Sequence, residues 1–173
     1  MAKALNQNVG SASASWAELP AALLSTFEIN NRINQYLIEN LPAEAWTAKP
    51  PEGKGRTISA IVAHMHNVRV MWLKAAAKGS EIPEQLDRAA VTPAQALKAM
   101  NASGSALVEL LGRAAKSDGR IKGFRPDVAA FFGYLIARCA SSRANHHAGS
   151  PGWPSHFTKS DVWYVGVGFA LKR

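Results

Sequence analysis

The chain has 173 residues, the length of one domain with a single sizeable core, and its 20 Lys and Arg outweigh 12 Asp and Glu for a formal net charge of +8. A composition of 47% hydrophobic and 18% charged residues excludes a disordered chain, and the longest nearly unbroken apolar run, Val128 to Ala137, is too short to span a membrane. The lone Cys139 excludes an internal disulfide and a cysteine-built zinc cage, and the start of the chain lacks the basic-then-apolar order of an export signal, so the expected location is cytoplasmic.

Residues 1–14 are small and polar without periodicity and read as a flexible arm; residues 15–137 read as the folded domain. From Trp16 to Asn40 the apolar positions Phe27, Ile29, Ile33, Tyr36, Leu37 and Leu41 follow helical spacing, and Pro42 ends the run. The KPPEGKG stretch at 49–55 is a loop, because its prolines and glycines break helices. A second helix starts near Thr57, presents Ile58, Ile61, Val62, Met65, Val68, Trp72 and Leu73 on one face, and stops near Gly79. Thr92, Pro93 and Gln95 form a capping box for a third helix, striped by Leu97, Met100, Gly104, Leu107, Val108 and Leu111. A fourth begins near Pro126-Asp127 and carries Val128, Phe131, Phe132, Leu135 and Ile136. No strand is expected before residue 138, and the fold class is all-α, an antiparallel four-helix bundle. After Ala137 the helical stripe collapses, so 138–173 reads as an irregular tail. That tail holds half of the excess positive charge, through Arg138, Arg143, Lys159, Lys172 and Arg173 against Asp161.

Five histidines are the candidate ligands. His64 and His66 lie two apart on the second helix, about 200° around its axis, and cannot share an ion. His64 falls on the inner stripe between Ile61 and Val68, where a hydrogen-bonded core histidine is the commoner outcome than a ligand; His66 is expected to be lateral, at the surface or in a hydrogen bond. His146 and His147 are adjacent, about 100° apart on a helix, and make a weak pair. Cys139 has no neighbouring histidine–carboxylate signature and reads as an inert thiol. The basic residues are scattered without interleaved aromatics, which argues against nucleic acid and for a solvated basic surface.

The run RTISAIVAHMHN at 56–67, with Val68, Arg69, Trp72 and Leu73, Leu86-Asp87-Arg88, Phe124-Arg125 and GYLIA at 133–137, resembles the DinB/YfiT-like family of helical-bundle metalloproteins over roughly residues 16–137. The resemblance implies a divalent metal, often nickel or zinc, bound by three histidines. One matches His64; the other two belong to a segment of the type HDAHHRGQ directly after the equivalent of GYLIA. It further implies a metal-dependent hydrolase or thiol transferase with an unidentified small-molecule substrate, and a homodimer.

This chain departs from the pattern at that point. It reads ARCASSRANHHAGSPGW, and no His-x-x-x-His occurs anywhere in it. Permitted codons for Arg138 onward, read one base later, spell DAHHRGQITMLARQA and then GHPISPKAMFGMWEW, which is the missing helix and a family-like C-terminal segment. The sequence therefore predicts a frameshift near Ala137, either a net one-base insertion or a two-base deletion. His146 and His147 are then out-of-frame residues, and much of the tail's charge is an artefact of frame. As written, the chain is expected to hold metal weakly or not at all. The rival readings are a non-enzymatic basic interaction module and a metal-free degenerate relative.

Overall fold

A computed structural model describes residues 18–49 and 55–147. The 1–14 arm, most of the KPPEGKG loop, His156 and the rest of the tail from residue 148 lie outside the described residues. The elements are α1 (Leu19–Glu39), α2 (Ala43–Thr47), α3 (Ile58–Ala76), α4 (Pro93–Ala115), β1 (Arg120–Ile121), β2 (Phe124–Asp127) and α5 (Val128–His147).

The helix starts follow local chemistry. Thr57 caps α3 by accepting the Ala60 N–H, and Asp127 accepts the Ala130 N–H in the first turn of α5. The capping box on α4 is complete: Thr92 accepts from Gln95 N while the Gln95 side chain accepts from Thr92 N at 2.9 Å.

Two hydrophobic clusters fix the helix directions. The starts of α1 and α5 (Phe27; Val128, Phe131, Phe132) share one cluster with the ends of α3 and α4 (Leu73; Leu107, Leu110, Leu111). The end of α1 (Ile38), the starts of α3 and α4 (Ile58, Ile61, Val62; Ala96, Met100) and Cys139 farther along α5 share the other. Thus α1 and α5 run one way and α3 and α4 the other. In the bundle α1 and α3 each pack against both α4 and α5. Placing α3 and α4 in the same direction requires the Ala77–Thr92 connection to travel back along the bundle, about 28 Å for a helix of this length.

Three features differ from the sequence expectation. A short antiparallel hairpin, β1 with β2, precedes α5, turning at Lys122-Gly123 with Gly123 at φ 84°. Strands of two and four residues, one containing Pro126, offer no alternation to detect. Second, most of the expected stripe on α1 faces outward: Ile29 is 60% and Tyr36 58% exposed, with Ile33 and Leu37 also exposed. Phe27, Asn30, Asn34, Gln35 and Ile38 are buried instead. Third, the α5 backbone continues past Ala137 to His147. No glycine or proline interrupts ARCASSRANHH, so nothing local stops the helix where the apolar pattern stops.

Candidate functional site

The site develops where the second half of α5 crosses the first half of α3. His64, Met65, Val68 and Arg69 of α3 face Leu135, Arg138 and Cys139 of α5 across a shallow cleft with room for about one water molecule.

His64 is half-buried at the rim of this cleft, and two guanidiniums close on its ring. Arg138 Nη2 lies 3.1 Å from Nε2, and Arg88 Nη2, brought in by the crossover after α3, lies 3.4 Å from Nδ1. A neutral imidazole has one acceptor nitrogen. The shorter contact assigns it to Nε2, accepting from Arg138, which leaves the Arg88 N–H facing the Nδ1 N–H, donor against donor. Burial first, then the charges of Arg56, Arg138 and Arg88, hold the His64 ring below the ordinary histidine pKa. No carboxylate pairs with these three arginines among the described residues.

His66 is the deeply buried histidine, fully inaccessible, which corrects the lateral position expected for it. Its Nε2–H donates to the Glu84 carbonyl at 2.8 Å, and Nδ1 accepts from the Ser103 hydroxyl at 3.1 Å. Next to it Asn67 brackets Leu86, accepting its N–H at 2.8 Å and donating to its carbonyl at 2.9 Å. His66 and Asn67 therefore tie the crossover to the bundle. With both ring nitrogens engaged, His66 is a structural residue. Burial lowers its pKa more than the Glu84 contact raises it.

Arg69 is the group the sequence reading missed. It is 2% exposed, lies over the Phe27 ring at 5.5 Å, and donates to Asn31 Oδ1 at 2.7 Å and to the Met100 carbonyl at 3.3 Å. Its other approach is to Cys139 Sγ at 3.9 Å, a weak acceptor. No carboxylate reaches it among the described residues. Taking a guanidinium from water without a counter-ion costs several kcal/mol, and burial accordingly pushes its pKa down. The available signal was its spacing, four residues after Met65 and four before Leu73 on the apolar face of α3.

A protein-family model described as the DinB superfamily matches residues 26–149. The chain belongs to the DinB superfamily. No curated protein and no solved structure matches it. The five helices among the described residues, with a small hairpin beside them, agree with this assignment.

For a DinB member the three-histidine metal site is the natural expectation, and the described residues do not fit it. No group of three or more His, Cys, Asp or Glu able to hold an ion occurs among them. His64 is the one expected donor present, with a guanidinium against its Nε2. A dication about 4 Å from one guanidinium is repelled by about 2 kcal/mol in water-like surroundings and by about 8 kcal/mol at an effective dielectric near 20. His146 and His147 lie at the end of α5, and their side chains fall outside the described part of the structure. No described helix is long and apolar enough to cross a membrane.

Proposed function

We propose that this chain is a metal-free member of the DinB superfamily, displaced in frame from a parent that was a metal-dependent hydrolase or thiol transferase acting on a small molecule. The observation that carries the reading is Arg138, whose guanidinium stands against His64 Nε2 where a second ligand would have to approach. A permitted codon spelling is compatible with it: read one base later from Arg138, it spells a family-like helix. The test is elemental analysis of the purified chain beside a His64→Ala variant. Nickel and zinc are expected well below one equivalent in both. Stoichiometric metal in the first that is lost in the second overturns the proposal.

A second reading, a non-enzymatic interaction module, draws on the same arginines. Arg56, Arg88 and Arg138 surround a neutral ring with no carboxylate among them, an arrangement that attracts an oxyanion rather than a cation. Saturable binding of inorganic phosphate, weakened by Arg88→Ala, favours it. Duplex DNA binding with a steep salt dependence would extend it to nucleic acid, for which no stacking platform speaks. The partner we propose is a second copy of this chain, supported by the outward stripe Ile29, Ile33, Tyr36 and Leu37, whose spacing suits a helix-to-helix seam.

A further inference from the structure

One side of the His64 ring ends in a conflict that a ligand would resolve. With Nε2 accepting from Arg138 at 3.1 Å, the Nδ1–H and the Arg88 Nη2–H meet across 3.4 Å, two donors without an acceptor between them. Nδ1 and Nε2 flank one ring carbon, Cε1, so Arg88 and Arg138 stand at the two ends of a single ring edge. An acceptor-only group along that edge takes the Nδ1–H together with guanidinium N–H groups from either side. The nearest acidic side chain in sequence, Asp87, is turned to its own loop, where Oδ1 accepts the Ala89 N–H at 2.9 Å. The charge at this edge is positive throughout, since both guanidiniums stay protonated and the exposed Arg56 adds a third. The field that repels a dication here attracts an anion.

The ring and Arg138 also border the cleft between α3 and α5, whose other walls include Met65, Val68, Leu135 and the Cys139 thiol. Arg69, on the same wall, directs Nη1 to Asn31 and the Met100 carbonyl and Nη2 to Cys139. The cleft has room for about one water molecule but offers it few polar partners, so a methyl group suits it better. An anionic head at the ring edge and a methyl-sized apolar group beside it describe a short carboxylate. Inorganic phosphate and sulfate satisfy the first requirement only, because every outer atom is an oxygen that loses hydrogen bonds against apolar walls.

We infer that His64, Arg88 and Arg138 form a binding site for a small carboxylate of the acetate type, its oxygens along the Nδ1–Cε1–Nε2 edge and its methyl group in the cleft. This rests on the oxyanion reading of the arginines given above and adds the class of ligand. The misfit with a metal site then reflects a ligand of the opposite sign.

The test is an NMR titration of the full chain at constant ionic strength, followed by the His64 Cε1–H resonance, which His64→Ala identifies by its absence. Sodium formate, sodium acetate and sodium pivalate are compared. Acetate is expected to bind about fourfold more tightly than formate, the gain for burying one methyl group. Pivalate is expected to bind more weakly than acetate, because three methyl groups exceed the cleft. Val68→Ile, which adds a carbon to one wall, should remove the advantage of acetate over formate. Arg88→Ala and Arg138→Ala should each weaken acetate about tenfold, the loss of one charge-assisted hydrogen bond. Arg113→Ala, an equal change of charge at a residue bonded to Ser80, should leave the affinity unaltered. Equal affinities for formate and acetate overturn the carboxylate assignment; if inorganic phosphate still saturates the shift and requires Arg88, the oxyanion reading stands without it. No saturation by phosphate or by any carboxylate defeats both. An acetate affinity indifferent to Arg88→Ala and Arg138→Ala, or lost equally in Arg113→Ala, places the anion elsewhere and overturns the proposal.

Discussion

Replacing His66 with alanine tests whether the crossover between α3 and α4 is held by this buried ring. The side chain is fully inaccessible and makes two hydrogen bonds, to Glu84 O and to Ser103 Oγ. Each is worth about 1 kcal/mol, and the orphaned carbonyl and the space left by the ring add to that, so His66→Ala is expected to cost about 3–4 kcal/mol. Ser103→Ala removes one of the two bonds and should cost about 1 kcal/mol. Stability should also depend on pH through this ring. Its folded pKa lies below the ordinary 6.5, so as pH falls through that value the unfolded chain takes up the proton first. The contribution is therefore complete above pH 6.5 and declines below it, by at most about 1.4 kcal/mol per pH unit. His64 adds a smaller effect of the same sign, since its ring is partly solvated. Urea unfolding followed by tryptophan fluorescence, above and below that pH, measures both quantities. His66→Gln should flatten the slope. A wild-type stability unchanged across that range, or a slope unaltered in His66→Gln, would refute the reasoning.

Thr92→Ala removes the hydroxyl half of the α4 capping box and should lower stability by about 1 kcal/mol in thermal melts. Gly104→Ala places a Cβ about 2.5 Å from Asn31 Nδ2, and Asn31 is held by Arg69. The expected loss is about 1–3 kcal/mol, and it should shrink in an Asn31→Ala background; equal losses in both backgrounds would mean that the clash is relieved elsewhere. Ile33→Glu puts a charge in the middle of the exposed α1 stripe and should convert a dimer to a monomer in sedimentation velocity, with the thermal midpoint of the monomer unchanged. An unaltered mass would remove α1 from the interface.

What could be read from the sequence was what is decided within a few residues. The capping box at Thr92, the start of α3 at Thr57 and the apolar face of α3 are local patterns, and each is observed. The orientation of α1 is not local. Its apolar residues outline a stripe through Ile29, Ile33, Tyr36 and Leu37, but that stripe faces out while Asn30, Asn34 and Gln35 turn in. The amide of Asn31 answers the buried charge of Arg69, 38 residues later on another helix, and no spacing within α1 announces that need. The site divides in the same way. His64 was legible as a ligand candidate, whereas Arg56, Arg88 and Arg138 come from three separate segments and meet only through the bundle and its crossover.

The same distinction explains why α5 outlasts its own pattern. A stretch free of glycine and proline, such as ARCASSRANHH, supports a helical backbone whether or not it carries an apolar stripe. Complementarity across helices has no such tolerance, because each inward position must suit one particular partner. At 138 a guanidinium meets a histidine already flanked by arginines, and at 139 a thiol meets an uncompensated guanidinium. Both contacts bring a guanidinium to a neighbour that is not a carboxylate, and both begin where the apolar pattern stops, which is what the proposed change of frame predicts.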